Sequence, residues 1–210
     1  METQTNRPRG PLAERYAEIS RYFMGQGRLN IALVKLARDL KEHGIDYMVI
    51  GAIALFEHGY ARLTEDIDLV MTLKGLEVFH RELIGLGYLP AFQGAKRLCS
   101  TTEGITIEVM VTGEYPGDGK PKPVSIPDPA EASIEIEGVR FVNLEKLIEL
   151  KLASGMTAPH RLKDLADVQE LIKVRGLQPE FAERLDPYVR EKFVELAETV
   201  KQGPKDEATT

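Results

Sequence analysis

Apolar and polar positions follow two different periods along this chain, and the switches between them mark out its elements. Residues 29–43 repeat on the helical period, with Leu29, Leu33, Leu36, Ala37 and Leu40 on one face. Gly44 is placed to end that helix as a C-terminal cap, because glycine takes the left-handed conformation without steric cost. A more mixed periodicity over 12–23 predicts an outer helix ahead of it. Tyr47-Met48-Val49-Ile50 is continuously apolar and reads as a buried strand. Residues 51–58 then read as a short helix stopped at Gly59, 67–71 as a second strand, and 76–86 as a helix closed by Gly85 and Gly87. Clean alternation returns at Ile105-Thr106-Ile107-Glu108-Val109, and with 97–101 it predicts a hairpin around Glu103-Gly104.

Between 113 and 129 the pattern dissolves. Gly113, Pro116, Gly117, Gly119 and a run of prolines leave no regular element intact. So long a connection is either a lid or binding loop or a flexible surface excursion. A second hairpin, 133–137 with 139–142, turns at Gly138. Asn143 is a good N-cap for a helix over 144–153. Further helices are expected over 158–174, with Pro159 in the first turn, and over 187–200. The expected layout is N-terminal helices packed on the core (1–44), a mixed core (45–142), a C-terminal helical lobe (143–202) and a disordered polar tail (203–210). The fold class is α+β: a mixed β-sheet flanked by N-terminal helices and a C-terminal helical lobe.

Composition narrows the chemistry. Hydrophobic residues make up 43% and charged residues 29%, the balance of an ordinary soluble globule. No apolar run is long enough for a membrane span, and the first residues lack the apolar core of a secretory signal. A single cysteine, Cys99, excludes an internal disulfide framework and a thiolate metal cluster, so a reducing cytoplasm is the expected home. The net charge of −6 argues against a generally basic nucleic-acid binder, although it permits a local basic groove. The four histidines show no metal-ligand spacing, and neither a nucleophile elbow nor a P-loop is present.

The acids carry more information. Asp66 and Asp68 interrupt an apolar run at i and i+2, so in a strand they leave the same face while Ile67 and Leu69 point into the core. Two carboxylates held that close repel unless a cation sits between them, and a hard divalent ion is the natural occupant. Glu108 lies on the outer face of the alternating strand. If that strand adjoins the Asp66 strand, Glu108 becomes a third ligand or a general base; otherwise it is only a solvated acid. Gly51 and Ala52 open the helix after the first strand, where free N–H groups suit a phosphate; a plain packing turn would look the same. Arg62 and Thr64 directly precede the acids, and Arg62 suits either a triphosphate or an ion pair with the acids.

The succession Gly51-Ala52-Ile53-Ala54, His58-Gly59 and Arg62-Leu63-Thr64-Glu65-Asp66-Ile67-Asp68-Leu69, followed by a later strand acid, resembles the nucleotidyltransferase superfamily with a polymerase-beta-like core. It is most similar to minimal nucleotidyltransferases, including toxins of abortive-infection-like toxin–antitoxin systems. The similarity spans 46–174, and the Asp-x-Asp segment is its specific part. It implies that Asp66 and Asp68, with Glu108, bind Mg²⁺ or Mn²⁺, and that Gly51 and Ala52 hold nucleotide phosphates. It also implies that Lys151, in an otherwise apolar helix, and Arg161 and Lys163 in His160-Arg161-Leu162-Lys163-Asp164-Leu165-Ala166-Asp167 line the cleft. Cations there would neutralise a triphosphate, with Asp164 and Asp167 orienting them; a solvated, salt-bridged helix is the plainer alternative.

Two positions depart from the family pattern. Ala52 stands where Gly or Ser is usual, and Glu108 where Asp is common. The implied activity is metal-dependent transfer of a nucleoside monophosphate from an NTP such as ATP to a hydroxyl acceptor: RNA, a protein or a small molecule. An antitoxin or other partner protein, and no membrane, would accompany it. The alternative is a catalytically inactive nucleotide-binding or protein-interaction module on the same fold.

Overall fold

The computed structural model describes residues 12–202, so the expected disordered tail lies outside the described residues. Two helices lead: α1 (Leu12–Phe23) and α2 (Arg28–Glu42). The apolar stripe of α2 is buried, with Ala32 added to the five positions expected. Gly44 closes it at φ +62°, and Ile45 N–H donates to the Leu40 carbonyl.

A seven-stranded sheet follows. Its strands are β1 (Tyr47–Val49), β2 (Asp66–Met71), β3 (Tyr88–Pro90), β4 (Arg97–Ser100), β5 (Ile105–Val111), β6 (Ser133–Ile136) and β7 (Val139–Val142), in the order β3-β4-β5-β2-β1-β7-β6. The sheet is mixed: β2 pairs parallel to β5 and β1 parallel to β7, while the remaining neighbours are antiparallel. Three helices interrupt the strands: α3 (Gly51–Glu57), α4 (Leu73–Glu82) and the four-residue α5 (Pro129–Ala132). Three more follow: α6 (Leu144–Thr157), α7 (Leu162–Arg175) and α8 (Pro187–Gln202). One contiguous apolar core joins α2, the sheet and α6–α8. Among the described residues no helix is long and apolar enough to cross a membrane.

Several boundaries differ from the sequence reading, each for a physical reason. Helix α4 starts at Leu73 because Thr72 is its N-cap, accepting from the Gly75 N–H at 3.0 Å. Strand β3 escapes notice because it is three residues long and ends in Pro90, which only an edge strand tolerates. Helix α5 hides in the proline-rich stretch, where Asp128 caps it and Pro129 occupies the first turn. Helix α6 runs four residues beyond 153 and passes through Gly155. A Cβ at Gly155 would lie 2.6 Å from Leu165 Cγ, so the missing side chain lets α7 pack against α6. A short 3-10 turn, Pro159–Arg161, separates the two helices, and α7 begins at Leu162 rather than 158. A second 3-10 segment, Pro179–Arg184, precedes α8.

The 113–128 connection is anchored rather than loose. The Gly113 N–H donates to the Ile126 carbonyl at 2.8 Å, and the Ile126 N–H to the Glu114 carbonyl at 2.7 Å. Val124 and Ile126 are buried in the core.

Candidate active site

Parallel pairing of β2 with β5 sets Asp68 opposite Glu108 and Asp66 opposite Thr106. Alternation turns Ile67, Leu69 and Ile107 fully inward, leaving the three acids on the other face. One carboxylate oxygen from each of Asp66, Asp68 and Glu108 lies within 4.8 Å of the other two. Burial, reinforced by the charges of Asp66 and Glu108, pushes the Asp68 carboxyl up to about 6 against the pull of Lys151 and Arg161. Thr64 Oγ1 donates to Asp66 Oδ1, which orients that carboxylate. Arg97, opposite Glu108 on β4, places Nε 3.7 Å from Oε1 of Glu108.

Gly51 has a specific steric reason to be glycine. Its φ is +67°, and a Cβ there would overlap Oδ2 of Asp68 and sit 2.8 Å from its Cγ. The turn between β1 and α3 therefore makes room for the Asp68 carboxylate, whatever else its N–H groups bind. The Ile50 N–H also donates to the Asp68 carbonyl at 2.9 Å, tying the turn to β2. Ala52 is buried in the core, and its side chain does not line the cavity that Gly51 lines.

Across the cavity, α6 and α7 hold a buried ionic network. Lys151 Nζ donates to Asp167 Oδ2 at 2.7 Å and Asp164 Oδ1 at 3.1 Å. Arg62, from the segment leading into β2, grips Asp167 with two bonds, Nε to Oδ1 at 3.0 Å and Nη2 to Oδ2 at 3.2 Å. Its carbonyl in turn accepts from the Tyr22 hydroxyl of α1. Arg161 Nε lies 3.0 Å from Asp164 Oδ2, and Ser154 Oγ donates to the same oxygen at 2.7 Å. Burial would raise the Asp164 carboxyl, but Lys151, Ser154 and Arg161 outweigh it and hold it below the ordinary range. Three cations thus face two carboxylates, and the network keeps one net positive charge.

The acids and the network line the same cavity, of about 690 Å³. Gly51, Arg62, Thr64, Lys151, Arg161 and Lys163 all border it, as do the three clustered acids. The cations differ in availability. Lys151 and Arg62 are committed to internal pairs, whereas Lys163 is exposed and has no ion pair among the described residues. The 113–129 stretch, for which the sequence left open a lid or binding loop or a surface excursion, supplies one wall of the cavity with Glu114, Tyr115, Pro116, Gly117 and Ile126, beside Met110 of β5; none of these six was singled out as a site residue. The glycines and prolines of this stretch marked it as irregular, but nothing local says which side of the molecule it covers.

No family model and no curated protein matches the chain. Among solved structures it is similar to an antigenic nucleotidyltransferase-like protein from Paracoccidioides brasiliensis, with 18% identity over 83% of this chain and 88% of that one and a TM-score of 0.50. It is also similar to JHP933 from Helicobacter pylori (16% identity, 81% and 90% covered, TM-score 0.44). A third likeness is to ANT(2")-Ia in complex with adenylyl-2"-tobramycin (15% identity, 81% and 94% covered, TM-score 0.46). The first of these likenesses bears on architecture: the mixed sheet with its flanking helices is a fold shared with that nucleotidyltransferase-like protein.

Proposed function

We propose that this chain is a divalent-metal-dependent nucleotidyltransferase. It would move a nucleoside monophosphate from an NTP to a hydroxyl acceptor. The observation that carries the proposal is the convergence of Asp66, Asp68 and Glu108 within 4.8 Å, on the wall of a cavity whose other side is cationic. The donor set fits a hard cation: three carboxylates gathered together, one of them raised to about 6 by burial and then by the charges of the other two. When bound, Mg²⁺ or Mn²⁺ would supply Lewis-acid stabilisation of the phosphoryl oxygens.

The residues have distinct parts in this reading. Asp66, Asp68 and Glu108 hold the metal, with Thr64 orienting Asp66. Lys163 and Arg161 face the triphosphate as the more exposed cations. Lys151 contributes from its buried pairs as a fixed positive charge, and Arg62 joins the β2 side of the cavity to α7. Gly51 gives the Asp68 carboxylate its space, and the turn it shares with Ala52 offers only backbone N–H groups to phosphate. In the transfer step the acceptor oxygen bonds to the α-phosphorus and the bond to the bridging α–β oxygen breaks. Pyrophosphate leaves, and the acceptor proton passes to a carboxylate, for which Glu108, with its side chain about half exposed, is the candidate.

A second reading, an inactive nucleotide-binding or protein-interaction module, is favoured by the Arg97–Glu108 pair, which competes with a metal for that carboxylate. One assay separates the two. The protein is incubated with α-labelled NTPs and Mg²⁺ or Mn²⁺, and is offered total RNA, a protein extract and small polyols separately. Covalent label on one acceptor class, lost in Asp66→Asn and Asp68→Asn, supports the transferase. Nucleotide binding without label supports the module. If the toxin-like resemblance extends to function, wild-type expression arrests growth, Asp66→Asn expression does not, and a partner protein relieves the arrest.

A further inference from the structure

The segment between β5 and α5 has no part in the transfer step just described, yet it is fastened to both sides of the cavity. On the sheet side the Gly113 and Ile126 backbone bonds hold it to the end of β5. On the lobe side Lys122, whose side chain is 5% exposed, bonds the Pro116 carbonyl at 2.5 Å, Asp118 at 2.5 Å and Thr157 Oγ1 of α6 at 3.3 Å. Gly117, at φ +76°, lies so close to α6 that a Cβ would come within 2.8 Å of the Ser154 carbonyl oxygen. The strap therefore rests on Ser154, the residue that bonds Asp164 and accepts from Arg161.

This fastening presents one ring to the cavity. Tyr115 is half-buried and lines the cavity, and its hydroxyl has no hydrogen-bond partner among the described residues. Met110, Pro116 and Ile126 line the cavity with it. Such a wall has nothing to offer a triphosphate, which needs cations, but it matches a flat, weakly polar heterocycle. Ring and cations are braced by the same turn of α6, which fixes their separation.

We infer that Tyr115 is the stacking surface for the nucleobase of the bound nucleotide. The inference rests on the nucleotidyltransferase reading of the same cavity. Stacking on an aromatic face tolerates any base, so Tyr115 would contribute affinity rather than choice of base.

The test is calorimetric binding of two probes in Mn²⁺, a non-hydrolysable ATP analogue and inorganic tripolyphosphate, to the wild type, Tyr115→Ala and Tyr115→Phe. Tyr115→Ala is expected to weaken the ATP analogue by roughly 5- to 150-fold. Tripolyphosphate should bind all three proteins alike, and Tyr115→Phe should keep wild-type affinity for both probes. Unchanged ATP-analogue affinity in Tyr115→Ala overturns the inference and leaves the nucleotide site standing. So does an equal loss of both probes in Tyr115→Ala, because the ring would then be supporting phosphate binding or the fold, or a loss in Tyr115→Phe, because the hydroxyl rather than the ring face would then be the binding group. A wild type that binds neither probe overturns the nucleotide reading, and the inference with it.

Discussion

Asp68 is the residue on which the site's electrostatics turn. Its carboxyl is raised from 3.8 to about 6 by burial and by two neighbouring acids. Between those values the folded protein holds a proton that the unfolded chain has released. This group's contribution to stability is thus fully present at low pH and is lost as pH rises through about 6. The full shift corresponds to roughly 3 kcal/mol. Replacing Asp68 by Asn removes the repulsion and is expected to raise the melting temperature of metal-free protein at pH 7.5 by several degrees. The same variant should lose the stabilisation that Mn²⁺ gives the wild type. In the wild type that Mn²⁺ increment should be larger at pH 7.5 than at pH 5, since the metal competes with the proton for the same oxygens. Differential scanning calorimetry at the two pH values, with and without Mn²⁺, measures all three. A melting temperature that falls in Asp68→Asn at pH 7.5 contradicts the account. Gly51 belongs to the same calculation: Gly51→Ala introduces a Cβ where the Asp68 carboxylate sits, at a positive φ. It is expected to lower the melting temperature and also to abolish the Mn²⁺ increment, since Asp68 must move to accommodate it.

At the scale of elements, the contact between α6 and α7 depends on Gly155. Glycine inside a helix costs about 1 kcal/mol relative to alanine. Propensity alone therefore favours Gly155→Ala, but the packing opposes it. The added Cβ would sit 2.6 Å from Leu165 Cγ and 2.7 Å from its Cδ2. Overpacking of this kind costs typically 1–3 kcal/mol, which exceeds or cancels the gain. Gly155→Ala should therefore fail to stabilise, whereas Gly155→Ala made in a Leu165→Ala background should stabilise that background by about 1 kcal/mol. Urea unfolding of the four proteins of this cycle measures the coupling, and additive free energies would show that the close approach is unimportant.

For the whole molecule, the acids stand on the sheet, Lys151, Arg161 and Lys163 face them across the cavity, and one buried carboxylate ties the approach to β2 to the helical side. Asp167, 2% exposed, takes a two-bond grip from Arg62 and a third bond from Lys151. Removing one partner of a buried pair strands the other charge, at a cost of about 3–5 kcal/mol. Asp167→Ala should cost that much in chemical denaturation, because it strands Arg62 and leaves the buried Lys151 with Asp164 alone. Arg62→Met, which leaves Asp167 with Lys151, should cost distinctly less. Equal losses in the two variants would mean that the Arg62 link, rather than the stranded charge, dominates.

Some of this is legible in the sequence. The helical stripe of α2, the strand character of β2 and β5, and the shared face of Asp66 and Asp68 all follow from periods of four residues or fewer. Such periods are properties of neighbouring residues, and local sterics impose them wherever the segment lies. That Glu108 could be a third acid was conditional, because it required β5 to lie beside β2. The sheet order decided this by pairing residues forty positions apart in parallel register. That Asp164 and Asp167 hold Lys151 was among the expectations, but the commitment of Arg62 to Asp167 was invisible, since it joins the approach to β2 with α7. So were the steric reason for Gly51, the helix-packing reason for Gly155 and the direction in which Tyr115 faces. Each is a matter of what lies across a gap from the residue. Sequence determined which side chains share a face; only the tertiary structure determined what that face meets, because burial and charge pairing are set by packing between distant segments.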